Sequence, residues 1–477
     1  MLFNSIDFAI FLPIVFILYW FVTNKNLKVQ NSLIILASYF FYGWWDWRFL
    51  SLILFSTVVD YTVGISLSNQ ENPIKRKILL WISICVNLGF LGFFKYYNFF
   101  LDNFIAAFSF FGKEINPSSL NVILPVGISF YTFQTMSYSI DVYKRKMQPT
   151  KDFIAFTAFV SFFPQLVAGP IERATNLLPQ FYKKRTFEYE KAVDGMKQIL
   201  WGFFKKIVVA DGCAIYANDI FNHYTQYSGM TLVLGVIFFA FQIYCDFSGY
   251  SDIAIGTSRL FGFDLMRNFA FPYFSRDIAE FWRRWHISLS TWFRDYLYIP
   301  LGGSRGSLGM KIRNTFVIFV VSGFWHGANW TFIAWGALNA LYFLPLMLLK
   351  KNRINTDIVA ENRNLPTFRE FFQILITFSL TCIAWVFFRA RSISDAFHYI
   401  GKMFQFKHSP TTYKFGIDII IFLILMILME WHNRNYQYGL QIRSSKKVVR
   451  YAIYFAFCFI TVAYFNVSNQ SFIYFQF

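Results

Sequence analysis

The chain has 477 residues, 56% of them hydrophobic and 15% charged, and its mean hydropathy is +0.41. A soluble domain carries about 25% charged residues, so a purely water-facing globular protein is excluded and lipid must cover part of the apolar surface. The formal net charge of +18 would suggest nucleic acid as a partner of a soluble chain, but here the Lys and Arg sit in short loops between apolar runs, which argues against nucleic acid and for topology signals and anionic membrane lipid.

A spanning helix needs about 20 mostly apolar residues. The first apolar run, Phe8 to Val22, lacks a basic leader and a small-residue cleavage site, so it reads as a retained span and not as a signal peptide. The predicted spans are 7–23, 31–45, 49–67, 78–98, 120–142, 197–221, 230–247, 371–388, 415–431 and 448–467. The clusters Tyr42 to Trp47 and Lys95 to Tyr97 suit headgroup depth. Two further apolar stretches do not read as plain spans. Residues 153–171 are too few and end in Val167-Ala168-Gly169-Pro170. Residues 314–349 are too many for one crossing and are broken near Trp325-His326-Gly327-Ala328-Asn329.

Basic loops face the cytoplasm. Loops 23–31, 70–77, 143–152, 172–197, 256–313, 350–370 and 432–450 carry most of the Lys and Arg. The spans alternate correctly if 153–171 and 314–349 each enter and return on one side, with both termini outside. Loop 389–414 is then external although it holds Arg389, Arg391, Lys402, Lys407 and Lys414; it is either an ordinary solvated loop or a surface for a partner or polyanion. The expected architecture is all-α: a polytopic integral membrane protein with about ten spans and two returning helical segments. One transmembrane domain covers 1–477, with N-terminal helices in 1–150, a core over about 151–350 and C-terminal helices in 371–467. Returning segments need protein or water to satisfy their backbone, so they imply a cavity within the membrane. No internal repeat is visible, which weighs against a secondary transporter. The five cysteines form no C-x-x-C pair and lie in or beside apolar stretches, so neither a disulfide framework nor a metal site is expected.

Three segments carry candidate chemistry. His326 lies mid-way along an otherwise uncharged stretch, flanked by Gly323, Gly327, Gly336, Trp325 and Trp330. An ionisable group within the membrane is a functional candidate by default, and an imidazole can take a proton from an attacking hydroxyl; the alternative is a structural histidine bonded to a neighbouring helix. Segment 272–303 mixes Trp282, Trp285 and Trp292 with Arg276, Arg283, Arg284 and Arg294 and carries His286. It reads as an amphipathic interfacial helix whose arginines either reach lipid headgroups or hold the phosphates of a nucleotide-like donor. Arg283, Arg284, Arg294 and Trp285 are therefore the candidate cofactor-binding residues. In 242–258, Asp246 and Asp252 sit with Ser248 and Ser251; they either bind a polar ligand or pair with arginines of 272–303, and Asp60 and Asp141 near other span ends are read as structural in the same way.

These residues resemble the membrane-bound O-acyltransferase family, and most closely its bacterial branch of membrane subunits that O-acetylate alginate, peptidoglycan and related polymers. The resemblance is carried by Leu124 to Phe130, Phe163-Pro164-Gln165 through Gly169-Pro170-Ile171, Asp246 to Asp252, Phe281-Trp282 through His286 to Gly303, and Gly323 to Gly327; the opening Met1 to Ser5 and closing Phe472 to Phe475 add to it. Loops 350–370 and 389–414 match nothing in it. The resemblance implies that His326 is catalytic and His286 the second family histidine. It implies helices around a central tunnel, acetyl-CoA as cytoplasmic donor with no metal, and a polysaccharide acceptor outside, reached through a separate extracytoplasmic esterase-like acetyltransferase. The competing expectations are D-alanyl transfer to teichoic acid by the same fold, or a non-enzymatic transporter of polysaccharide precursors.

Overall fold

The computed structural model of the chain describes residues 1–110, 125, 127–167, 169–405, 413–442, 446–465 and 472–473. Among them every regular element is helical. Parts of the predicted span 120–142, of loops 389–414 and 432–450, of the Val167 to Pro170 break and of the closing motif, including Tyr474 and Phe475, lie outside the described residues. The chain divides into two compact units, residues 1–189 with 258–265, and residues 190–257 with 266–477.

The first unit begins with α1 (Ile6–Ile17), whose start is capped by the Ser5 hydroxyl and which runs on through a π-helical turn, Leu18–Val22. There follow α2 (Leu27–Asp46), α3 (Leu50–Asn69), α4 (Pro73–Leu91), α5 (Tyr97–Phe110) and α6 (Ile128–Tyr143). Helices α2 and α3 form one apolar run that breaks where the sequence predicts two spans. Asp46 is extended (φ −159°, ψ 111°) and its carboxylate accepts from the Arg48 amide. Trp44, Trp45 and Trp47 beside that break are exposed, as a headgroup-level belt requires. Asp60 of α3 is fully buried, yet its partners are neutral. It accepts from Ser83 and, at 2.8 and 2.9 Å, from Ser139 and Asn87, so polar side chains of α4 and α6 join α3 where lipid offers no solvent. Asp141 pairs with Lys146 at 3.8 Å.

Stretch 153–171 does not cross. It folds as α7 (Phe153–Ser161) and α8 (Phe163–Leu166), separated by Phe162 at φ −50°, ψ 105°. At about 1.5 Å per residue, α7 reaches only half-way across the ~30 Å hydrocarbon core. Its side chains are nonetheless buried throughout most of its length, because protein surrounds it. The short α9 (Ala174–Leu177) completes the unit.

The second unit opens with α10 (Tyr189–Phe203), which continues through a π-helical stretch, Phe204–Ala210, into α11 (Asp211–Asn222). The long α12 (Gly229–Leu260) packs on α10 through glycines. A Cβ on Gly202 would sit 2.6 Å from the Gly249 carbonyl oxygen, and one on Gly249 would sit 2.8 Å from that of Gly202. Backbone contact of this kind is how helices associate without a hydrophobic driving force. Two short helices follow, α13 (Ile278–Arg284) and α14 (Ile287–Phe293). Helices α15 (Leu308–His326) and α16 (Trp330–Leu348) form a hairpin, and α17 (Phe368–Arg389), α18 (Ile393–Met403), α19 (Ile417–His432) and α20 (Lys447–Tyr464) end the chain.

Six helical runs among the described residues are long and apolar enough to cross a membrane: 27–69, 73–109, 229–260, 330–348, 368–389 and 447–464. The predicted spans 7–23 and 415–431 are helical but shorter, and 197–221 carries Lys205, Lys206 and Asp211 in its interior. The predicted return at 314–349 is deeper than the sequence suggested. Each arm has 19 residues, about 28 Å of helix and close to a full hydrocarbon thickness. The first arm begins at Leu308, where Lys311 and Arg313 hide its start from an apolar count. A Cβ on Gly323 would overlap the Phe332 carbonyl oxygen, and one on Gly336 that of Phe319, so glycine lets the two arms touch backbone to backbone.

Because the arms are antiparallel and of equal length, their outer ends emerge on one face. With the five native cysteines replaced, single cysteines at Ser307 and Lys351 should both label with an impermeant maleimide in inverted vesicles and stay unlabelled in intact spheroplasts. Opposite accessibility of the two positions would refute the hairpin.

Candidate active site

The second unit brings His286, just before α14, and His326, at the end of α15, together. His326 is the last residue of α15. Gly327 is extended (φ −163°, ψ 152°) and stops the helix there, and Asn329 opens α16 by accepting from the Thr331 amide at 3.0 Å. The imidazole of His326 therefore stands at the carbonyl end of a helix, where a positive charge is favoured. His286 is placed by a different device. The Ile287 amide donates to the Asn268 carbonyl at 2.9 Å. Ser288 donates to the Asn268 side chain at 2.9 Å, and that side chain donates on to Ser251 of α12 at 3.1 Å. Asn268 is wholly buried. Immediately before these anchored residues His286 sits in the left-handed region, φ 41° and ψ 56°, a conformation that costs a non-glycine residue of order 1 kcal/mol and persists only where its surroundings enforce it.

The two rings lie 6.4 Å apart between centroids. His286 is 2% exposed and His326 5%. Their walls are aromatic. Phe247 meets His286 edge-on at 4.5 Å, while Trp335 and Phe388 meet His326 at 5.3 and 5.6 Å. Behind them Trp335 stacks on Trp385 (5.7 Å, 18°), and Trp385 contacts Trp285 at 5.1 Å. Burial, and then the neighbouring His326, hold the His286 imidazole well below its usual range. It is thus neutral at physiological pH, with one ring nitrogen to donate and one to accept.

Of the four residues predicted to contact a cofactor, Trp285 is buried (3% exposed) within this aromatic layer, directly beside His286. Arg283 and Arg284 face a loop of the same unit. Arg283 donates to the carbonyl oxygens of Asn352 and Asn355 at 2.9 and 2.6 Å. Arg284 pairs with Glu280 at 2.8 Å and donates to the Asp357 carbonyl at 2.8 Å. Arg276 joins the same cluster through Glu280 and Asp357 at 3.0 and 2.9 Å. Arg294, at the end of α14, is exposed and pairs with its neighbour Asp295 at 2.7 Å. The basic segment therefore straps loop 350–367 to the unit through main-chain carbonyls, and Arg294 is exposed outside that strap. Among the described residues no group of acidic, cysteine and histidine side chains is arranged to hold a metal.

Sequence reasoning missed the partners of Asp246 and Asp252. These are not arginines of 272–303 but lysines of the π-helical stretch. Lys205 bonds Asp252 at 2.7 Å and Ser248 at 2.8 Å; Lys206 bridges Asp211 and Asp246, each at 2.8 Å. Both lysines are at least 98% buried. The arginines are spent on the loop and on Glu280, whereas the glycine crossing of α10 and α12 presses the lysines against the aspartates. The signal was present as Lys205-Lys206 inside an apolar run. Asp246 also accepts from the Ile473 amide at 2.6 Å, and Phe472 packs on Tyr250 at 4.2 Å, so the closing motif is seated near the wall of His286 formed by Phe247.

A family model described as membrane-bound O-acyltransferase matches residues 128–388, which contain both histidines. The chain is 42% identical over 411 residues to the "Probable alginate O-acetylase AlgI" of Pseudomonas syringae pv. tomato, covering 85% of this chain and 76% of that protein. It is 38% identical over 453 residues to the protein of the same name from Pseudomonas aeruginosa, covering 92% and 83%. It is 36% identical over 432 residues to the "Peptidoglycan O-acetyltransferase" of Helicobacter pylori, covering 84% and 80%.

Removing one partner of a buried ion pair leaves the other charge stranded, at a cost of about 3–5 kcal/mol. Lys205→Met should therefore lower the melting midpoint of the purified protein sharply, and the double variant K205M/D252L should recover most of the loss. A double variant no more stable than the single one would show that the pair is not the source of the effect.

Proposed function

The chain belongs to the membrane-bound O-acyltransferase family, and from that premise we propose that it moves acetyl groups from cytoplasmic acetyl-CoA across the bacterial inner membrane for O-acetylation of an extracytoplasmic polysaccharide such as alginate or peptidoglycan. The observation that carries the reading is the pair of buried histidines, 6.4 Å apart in an aromatic enclosure. Acyl transfer to a hydroxyl needs a base for the hydroxyl proton and a site from which water is kept away from the thioester. His326 is the base: as the acceptor oxygen attacks the thioester carbonyl, the imidazole takes its proton, the carbon–sulfur bond breaks and the proton passes to the departing thiolate. The negative end of α15 meets the charge that develops on the ring. His286, kept neutral, is a hydrogen-bonding group that orients donor or acceptor beside it.

On the cytoplasmic side Arg294 is the contact for the donor's phosphates, while Arg283 is committed to the carbonyls of Asn352 and Asn355. Arg284 reads as structural, since Glu280 and two main-chain carbonyls take up its donors. The acceptor is served by a separate extracytoplasmic transferase. The described basic residues of loop 389–414 support a structural start to that surface, because Arg389 and Arg391 donate to Asn218 and Asn222 at the end of α11. D-alanyl transfer is the weaker reading: the relatives named for O-acetylation match over more than four-fifths of this chain. The match to an acyltransferase family over both histidines weighs against a transporter.

General-base assistance is worth about 10² to 10⁴ in rate. His326→Ala in proteoliposomes loaded with radiolabelled acetyl-CoA should lose acetyl transfer by at least about 100-fold while its melting midpoint stays at the wild-type value; retained transfer would remove His326 from the chemistry. Arg294→Ala should raise the KM for acetyl-CoA several-fold and leave kcat unchanged, and a fall in kcat alone would place Arg294 elsewhere.

A further inference from the structure

The first unit holds a basic cleft that neither the acyl-transfer chemistry nor the helix packing uses. Its volume is about 480 Å³, and it lies between the π-helical end of α1 and the segment 184–187. Its polar side is cationic: Lys25 and Lys184 are exposed at its rim, and Arg185 is buried in its wall at 7% exposure. No acidic residue lines it. Arg185 is held rigidly by neutral groups. Its guanidinium donates to Gln30 and Asn31 at 3.0 and 2.6 Å and to the Gln180 carbonyl at 3.3 Å, and it lies 4.8 Å from the Phe263 ring. A cation built into a wall without a carboxylate presents its charge to whatever enters the cleft, since a buried charge is satisfied only by pairing.

The other side of the cleft is apolar. Phe16 and Trp20 form its floor, each against Phe187, at 5.9 and 5.5 Å. Phe21, also lining the cleft, is 75% exposed. From it an exposed stripe runs up α1 through Ile17, Ile14 and Ile10, each more than half exposed and spaced three or four residues apart on one helix face. In a membrane protein such a stripe is a lipid-facing surface. The cleft thus joins three cations, at the end where basic loops 23–31 and 172–197 mark the cytoplasmic face, to a continuous apolar track into the bilayer.

We propose that this cleft binds a diacyl phospholipid with an anionic headgroup: Lys25 and Lys184 take the phosphate, Arg185 adds positive potential from the wall, Phe16, Phe21 and Phe187 take the start of the chains, and the chains continue along α1. The joined apolar track selects a lipid over a free phosphate compound, which would use only the cationic half. The inference does not depend on acetyl transfer.

The test uses the full-length protein in detergent, with Lys25→Gln and Lys184→Gln combined. Both side chains are exposed, so the variant retains the fold. Dioleoyl-phosphatidylglycerol, dioleoyl-phosphatidylcholine and sn-glycerol 1-phosphate are each titrated while the melting midpoint and the lipid retained in native mass spectrometry are read. The proposal expects phosphatidylglycerol to be retained and to raise the midpoint, phosphatidylcholine and glycerol phosphate to do neither, and the double variant to bind phosphatidylglycerol at least tenfold more weakly with an unchanged midpoint in phosphatidylcholine. Equal retention by the double variant, equal stabilisation by phosphatidylcholine, or stabilisation by glycerol phosphate alone would each overturn it.

Discussion

Lys205 and Lys206 bind three aspartates inside a helical bundle that lipid surrounds, and much of the second unit depends on that cluster. The π-helical stretch between α10 and α11 supplies the lysines; α12 supplies Asp246 and Asp252; α11 supplies Asp211. None of these groups can be left to solvent, because the bilayer core has none. The pairs therefore specify how α10, α11 and α12 meet, and the glycine contact of Gly202 with Gly249 is the close approach that lets short salt bridges form. Asp246 also receives the Ile473 amide, so the same carboxylate that receives Lys206 seats the end of the chain. From α12 the order passes to the site. Ser251 holds Asn268, Asn268 holds the two residues that follow His286, and Phe247 forms the wall against its ring.

Two histidines in an aromatic enclosure are expensive to build. His286 costs a left-handed backbone and the desolvation of an imidazole, and neither is recovered locally. That cost falls on the residues packed around the rings. Asn268 satisfies backbone and side-chain groups of three neighbours, and Trp285, Trp335 and Trp385 form a layer that shuts the rings from water. A neutral imidazole in a dry site is the form able to accept a proton or to donate a single hydrogen bond. Exposure would sacrifice both water exclusion and the fixed position of the ring.

The legible part of the fold was what depends on counting. An apolar run of sufficient length announces a helix whatever surrounds it, so α2, α3, α17 and α20 stand close to where the spans were predicted, and α12 starts where predicted but runs on past 247 to Leu260. The break at Trp325 to Asn329 was visible because glycine, histidine and asparagine interrupt a uniform run, and His326 stood out as the ionisable group in it. What could not be read was partnership. Asp246 and Asp252 had basic residues available on two segments, and composition ranks arginine in 272–303 above lysine in 197–221. The choice was made by backbone proximity at glycines, which sequence spacing does not encode. Asn268 gave no signal either, since a buried asparagine that shapes a turn looks in sequence like any loop asparagine.

The arginines show the same limit in a form that bears on mechanism. Arg283, Arg284 and Arg294 are adjacent in composition and alike in chemistry, yet the structure gives them different work. A guanidinium spreads its donors over a fork and serves a row of carbonyl oxygens as readily as a phosphate. Loop 350–367 offers such a row: Asn352, Asn355 and Asp357 to Arg283 and Arg284, and Val359 and Ala360 to Arg434, which donates to them at 2.9 and 2.6 Å. The loop has no regular helix before α17 to satisfy these carbonyls internally, so arginine does it. A basic, aromatic segment at a membrane face is thus not by itself a nucleotide site. What separates a cation free to meet an anion from one already committed is the number of its donors already taken, and on that measure Arg294 differs from its neighbours.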